Sequence, residues 1–203
     1  MQAPLHFVLF EIFCFGSVVR CNSPPDALRQ VKSISIILMC VATCVEYGVI
    51  HDQITARICV EYFTIGHAPL IATDDPTLLG IGWGVVATWW VGLLLGIPLA
   101  AACRLGRWPK REPGTLWRPL IRLSSVTFAM AVLAGLVGWV AASKGWVVLV
   151  GPMAERVPPD RHVPFLVDLW AHNASYLVGF VGGVVLIVFV LLGRQSRHLR
   201  SST

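Results

Sequence analysis

The sequence predicts an all-α integral membrane protein, a four-helix bundle in up-down-up-down order whose first helix is extended beyond the membrane. Three observations carry this. Mean hydropathy is +0.71, with 56% hydrophobic against 13% charged residues, a balance outside that of ordinary soluble domains. Four apolar runs reach the roughly 20 residues that a bilayer crossing needs. The connections between them are short, so consecutive helices run antiparallel and the first and fourth become neighbours.

The runs lie at about residues 33–53, 79–103, 119–142 and 163–192, within a membrane domain 33–194 that a basic tail, 195–203, follows. Lys and Arg number 16, and only Arg57, Lys144, Arg156 and Arg161 fall outside the clusters around Arg29 and Lys32, between the second and third spans, and after the fourth. The positive-inside bias then puts both termini in the cytoplasm and the protein in the plasma (inner) membrane. The net charge of +5 therefore belongs to loops beside apolar runs, which argues against a nucleic-acid partner and for the lipid bilayer.

Residues 1–32 form an N-terminal segment that stands apart. Phe7 to Val19 is apolar but too short to span, carries Glu11 and lacks a cationic stretch before it. It ends in VVRC, which is neither a small-residue cleavage site nor a lipid-attachment box. A start codon placed too far upstream accounts for it; an interfacial segment is the alternative.

Of six cysteines, Cys40 and Cys44 lie inside the first span, Cys103 ends the second and Cys59 lies outside, so there is no disulfide framework and no CxxC metal signature. Small residues at i, i+4 mark where apolar helices approach closely in lipid. The second span has Gly84, Thr88, Gly92, Gly96 and Ala100; the fourth has Ala171, Ser175, Gly179 and Gly183; the third has Ala134, Gly138 and Ala142. Such Gly/Ala/Ser seams serve the bundle itself, a homo-oligomer or a membrane partner. Trp83, Trp139, Trp146 and Trp170 fall near one boundary and Trp108 and Trp117 near the other, as an aromatic belt requires.

Two polar clusters break the apolar pattern: EYGVIHDQITARICVEYFTIGHAP, from Glu46 to Pro69, and DLWAHNASY, from Asp168 to Tyr176. His51 stands about 28 Å of helix beyond Lys32, and His172 about 33 Å before Arg194, so both reach the outer boundary of a core roughly 30 Å thick. Asp168 and His172 share a face at i, i+4. If the first helix runs on to Ile65, where Gly66 and Pro69 end it, Glu46, Gln53, Arg57 and Glu61 form one stripe. His51, Thr55, Cys59 and Tyr62, with Asp52 beside them, form another. Arg57 and Glu61 then read as an i, i+4 ion pair. His51 and Glu61 lie about 15 Å apart along a straight helix and share an ion only if the helix breaks. Glu46, inside the span, needs a proton, a partner or the bundle interior.

The residues that point to chemistry are His51, Asp52, Asp168 and His172, with His67 folding back as a further ligand and Glu46, Arg57, Glu61, Ser175 and Tyr176 in support. Imidazoles and carboxylates at matched depth on adjacent helices suit a divalent metal, the carboxylates ligating or orienting the rings. The same residues suit a hydrogen-bonded network that sets helix register, or a membrane-embedded metal-dependent hydrolase with Asp52 or Asp168 as general base. They also suit a haem held between His51 and His172, or a structural, partner-binding subunit without a ligand. The motifs HDQITARICVEYFTIGHAP and RHVPFLVDLWAHNASYLVGF resemble those of a group of small multi-pass bacterial membrane proteins. The resemblance runs from about Lys32 to Leu192 and implies the membrane fold, while the group has no established activity to lend.

Overall fold

In the computed structural model, which describes residues 25–201, the chain divides into two compact units, Met1–Val31 and Lys32–Thr203. Phe7 to Val19 and the last two residues of the basic tail lie outside the described residues. Every regular element among the described residues is helical: α1 (Pro25–Ile58), α2 (Val60–Thr64), α3 (Pro76–Val86), α4 (Trp89–Arg104), α5 (Trp117–Ser143), α6 (Pro152–Arg156) and α7 (His162–Ser201), with 3-10 turns at Pro113–Thr115 and Pro159–Arg161. Four stretches are long and apolar enough to cross a membrane: Ala27–Ile58, Pro76–Arg104, Pro113–Ser143 and Pro159–Arg200. The protein is thus a four-helix membrane bundle.

The second span opens on a strong stop-and-start signal. Asp75 accepts hydrogen bonds from the amides of Thr77 and Leu78 at 2.7 and 3.0 Å, with Pro76 in the first turn, so two otherwise unpaired helix donors are satisfied. Within the span the helix is interrupted between α3 and α4 at Ala87 and Thr88, where the Thr88 hydroxyl donates to the Gly84 carbonyl at 2.5 Å.

The predicted seam of the second span packs inside the chain. A Cβ on Gly84 would stand 2.5 Å from the Val49 Cα, one on Gly92 2.5 Å from the Val41 Cα, and one on Gly96 3.0 Å from the Ile37 Cα. These are backbone contacts, so helices α1 and α3–α4 touch because the side chains between them are absent. Gly84→Ala should therefore lower stability in detergent by about 1–3 kcal/mol despite the better helix propensity of Ala. Gly179→Ala, at a position with nothing within 4 Å of an added Cβ, should leave the thermal melt unchanged or raise it. On the other side of the bundle Gly138 accepts the face of Trp170, whose ring atoms would lie 2.9–3.2 Å from an added Cβ. The belt prediction divides accordingly: Trp139 and Trp146 are exposed, whereas Trp170 fills the seam between α5 and α7.

At the end of the bundle that carries Lys32 and Arg104, called the basic end below, a feature appears that flank-counting does not anticipate. Arg194 is 1% exposed. Its guanidinium donates to the carbonyls of Pro109, Leu105 and Trp108 at 2.8, 2.8 and 3.0 Å and also to that of Ala102. The side chain thus closes the C-terminus of α4, where carbonyls lack helical partners and the helix dipole favours a cation. Just inside this end lies an apolar cluster that includes Ile36, Cys40, Leu99, Cys103, Leu120 and Leu186. A second cluster, with Ala56, Cys59, Tyr62, Phe63, Leu79 and Phe165, fills the opposite end.

Candidate functional site

The first helix does not run on to Ile65 as one rod. It stops at Ile58, Cys59 adopts an extended backbone (φ −147°, ψ 97°), and the chain resumes as the single turn α2. The break turns Tyr62 back over the bundle, where its ring stacks on His172 with centroids 4.5 Å apart and an interplanar angle of 29°. Phe63 meets the same imidazole edge-on at 5.8 Å.

Beneath these rings the helices α1 and α7 bring together His51, Asp52 and His172, all buried. One ligand atom from each lies within 4.8 Å of the others. Asp52 Oδ1 is 3.1 Å from His51 Nδ1 and 3.3 Å from His172 Nε2, and the two imidazoles meet in a T-shape at 4.5 Å. His172 Nδ1 is 2.8 Å from the Asp168 carbonyl, an atom that only accepts, so Nδ1 carries a proton. In the neutral ring Nε2 is then a lone pair facing a carboxylate oxygen, and two acceptors at 3.3 Å need a cation between them, either a proton or a metal. Tyr47 stacks on His51 at 5.7 Å and hydrogen-bonds Ser175 at 2.7 Å, tying the helices together one turn deeper.

Four other predicted members behave differently. Asp168 is completely buried, and neither carboxyl oxygen has a hydrogen-bond partner among the described residues. It adjoins the trio through its backbone without belonging to the three-residue group. His67 folds back as expected, but its Nδ1 bonds the Tyr62 carbonyl at 2.8 Å and its ring meets Trp83 at 4.9 Å, so it buttresses the aromatic lid. Tyr176 and Glu46 are exposed on the outer surface.

The predicted Arg57–Glu61 pair is not formed. The break at Cys59 removes the continuous helix that the i, i+4 spacing presupposes. Arg57 instead bonds Gln53 Oε1 and Thr77 Oγ1, each at 2.8 Å, and Glu61 takes Arg161 Nε at 2.9 Å. Cys59 Sγ donates to the same carboxylate oxygen at 3.3 Å; burial pushes this thiol up to about 12, so it stays a donor. Burial opposes the charge on Glu61, but its own backbone amide, Arg161 and Cys59 together hold the carboxyl below the usual range. A depressed carboxyl contributes stability above its unfolded value, near 4.5, and loses it as pH falls through the folded value. The melting advantage of the protein over Glu61→Gln should therefore be present at neutral pH and shrink below about pH 4.5, as read by melts across that range.

No family model and no solved structure matches the chain. It is similar to a phosphatidylglycerol–prolipoprotein diacylglyceryl transferase of Solidesulfovibrio magneticus, 30% identical over 124 residues. That stretch is 60% of this chain and 41% of the transferase, so the chain spans about two fifths of the length of the curated relative it matches.

Sequence spacing names His51, Asp52 and His172 among five candidate ligands and passes over the side chains packed around them. Tyr62 was on the right stripe, and its part as a lid depends on the break at Cys59, which no Gly or Pro announces. Tyr47 had a readable signal, being one turn below His51 on the same face. Arg161 had none.

Proposed function

We propose that this integral membrane protein holds a divalent metal ion at the extracytoplasmic face between its first and fourth helices, with His51, Asp52 and His172 as ligands. One observation carries the reading: a single carboxylate oxygen lies within 3.3 Å of a ring nitrogen on each of two buried imidazoles. Ligands on a tetrahedral ion with bonds near 2.0–2.1 Å stand about 3.4 Å apart, so the two Asp52 distances suit a common ion and only the two histidines need draw together. The Asp168 carbonyl sets the His172 tautomer in the way outer partners orient metal-bound imidazoles. A haem between the two histidines is disfavoured, because rings in edge contact at 4.5 Å leave no room for a porphyrin.

Metal analysis of detergent-purified protein tests this. The protein should carry about one equivalent of a first-row divalent ion, and a His51→Ala/His172→Ala variant should carry none. Equal metal in both, or none in either after zinc loading, would sink the proposal.

A second reading is favoured by the similarity to the diacylglyceryl transferase. In it, the same trio serves a membrane-embedded enzyme that acts on a lipid, with Asp52 as general base through an imidazole. Incubation with a panel of lipid esters and amides tests it: turnover lost in Asp52→Asn supports the enzyme, and no turnover by metal-loaded protein counts against it.

A further inference from the structure

The basic end gathers more buried cation than it pairs. Arg104 is 7% exposed; its Nη1 reaches the Arg111 carbonyl at 3.3 Å and Glu112 at 3.6 Å, and its Nε is buried with no partner among the described residues. The Arg111 Nε is likewise buried and unpartnered, and its Nη2 would lie 2.9 Å from a Cβ placed on Gly193. The missing side chain there leaves room for this guanidinium next to Arg194. Among the described residues one carboxylate stands against the three arginines, Glu112, which is already held by Lys32 at 2.9 Å.

Arg194 spends its donors on backbone carbonyls, which carry no formal charge, so it adds a positive charge to the cluster without an anion to match. A buried guanidinium N–H without an acceptor is unfavourable, and Arg104 and Arg111 each leave one in that state. The cluster sits where the second span ends, at Arg104, the level at which lipid phosphates begin. Forked guanidinium donors match the oxygens of a phosphate better than any other common anion at that depth, and basic pockets between spans recognise headgroups in this way.

We infer that Arg104 and Arg111, positioned beside the Arg194 clamp, form a binding site for a phosphate group, carried by an anionic phospholipid or free in solution. The site is at the opposite end of the bundle from His51 and His172 and does not depend on the metal proposal.

The test uses the full chain in lipid-free detergent. Native mass spectrometry after incubation with phosphatidylglycerol or phosphatidylcholine reads the lipid arm; thermal melts in inorganic phosphate against chloride at equal ionic strength read the free-anion arm. The protein should keep phosphatidylglycerol at least about tenfold better than phosphatidylcholine, or be stabilised by phosphate over chloride, and the arm that responds names the source. Arg104→Gln and Arg111→Gln should each remove about tenfold of that preference. Arg197→Gln, at an exposed cation of the same end, should change it less than about twofold. Should Arg104→Gln fail to fold, Arg111→Gln decides, because its side chain gives up no hydrogen bond. The inference is overturned if neither anion is preferred, or if Arg197→Gln loses as much as Arg111→Gln, since the attraction is then a diffuse field.

Discussion

Asp52→Asn should weaken zinc binding by on the order of 10²-fold or more while the protein still folds. The carboxylate oxygen between the two imidazoles is the one atom that both histidines approach, at 3.1 and 3.3 Å, so its loss removes a ligand and the negative charge that attracts the ion. The amide that replaces it can donate to the His172 lone pair, so a network of hydrogen bonds survives without metal. This separates the metal reading from the purely structural one. A register-setting network predicts the same zinc affinity in both proteins, because neither would hold zinc tightly. Titration against a chromophoric competitor checks the difference, with melting curves run without and with zinc. The metal reading expects zinc to raise the melting temperature of the parent chain and not of Asp52→Asn.

Arg194→Met should cost about 3–5 kcal/mol, the largest stability loss of any single substitution considered, and thermal melts in detergent should show it. Met fills much of the same volume but offers no donor, so the carbonyls of Ala102, Leu105, Trp108 and Pro109 lose the guanidinium they share. Buried acceptors left without partners cost about 1–3 kcal/mol each, and water entering at the end of α4 recovers part of that. Arg194→Lys should recover only a minor part of the loss, since a single ammonium cannot reach four carbonyls spread around a planar fork. If Met proves neutral, the side chain is an ordinary flanking cation and the clamp is not a structural element.

What could be read in advance follows from what each signal depends on. The four spans depend on composition over about 20 residues, and each was found because lipid requires it whatever the neighbours do. The glycine seam on Gly84, Gly92 and Gly96 was legible because close approach leaves a period in the sequence. Helical rise alone placed His51 and His172 at one depth, and the structure puts their rings in contact. Arg57 and Glu61 show the limit of the same arithmetic: the spacing is right for a pair, but one extended residue at Cys59 rotates everything after it, and each finds a partner elsewhere. Arg194 shows another limit. Its charge reads as an orientation signal, while its role depends on carbonyls some 85 to 92 positions away in the chain, which local pattern cannot reach. The lid of Tyr62 over His172 was hidden for both reasons.

The most direct test of the central claim is X-ray absorption at the zinc edge of the zinc-loaded full chain. The proposal predicts scattering from two imidazoles and a carboxylate oxygen at about 2.0–2.1 Å, with the imidazole signal lost in His172→Ala. A shell of oxygen alone, or one that contains sulfur at about 2.3 Å, would contradict it.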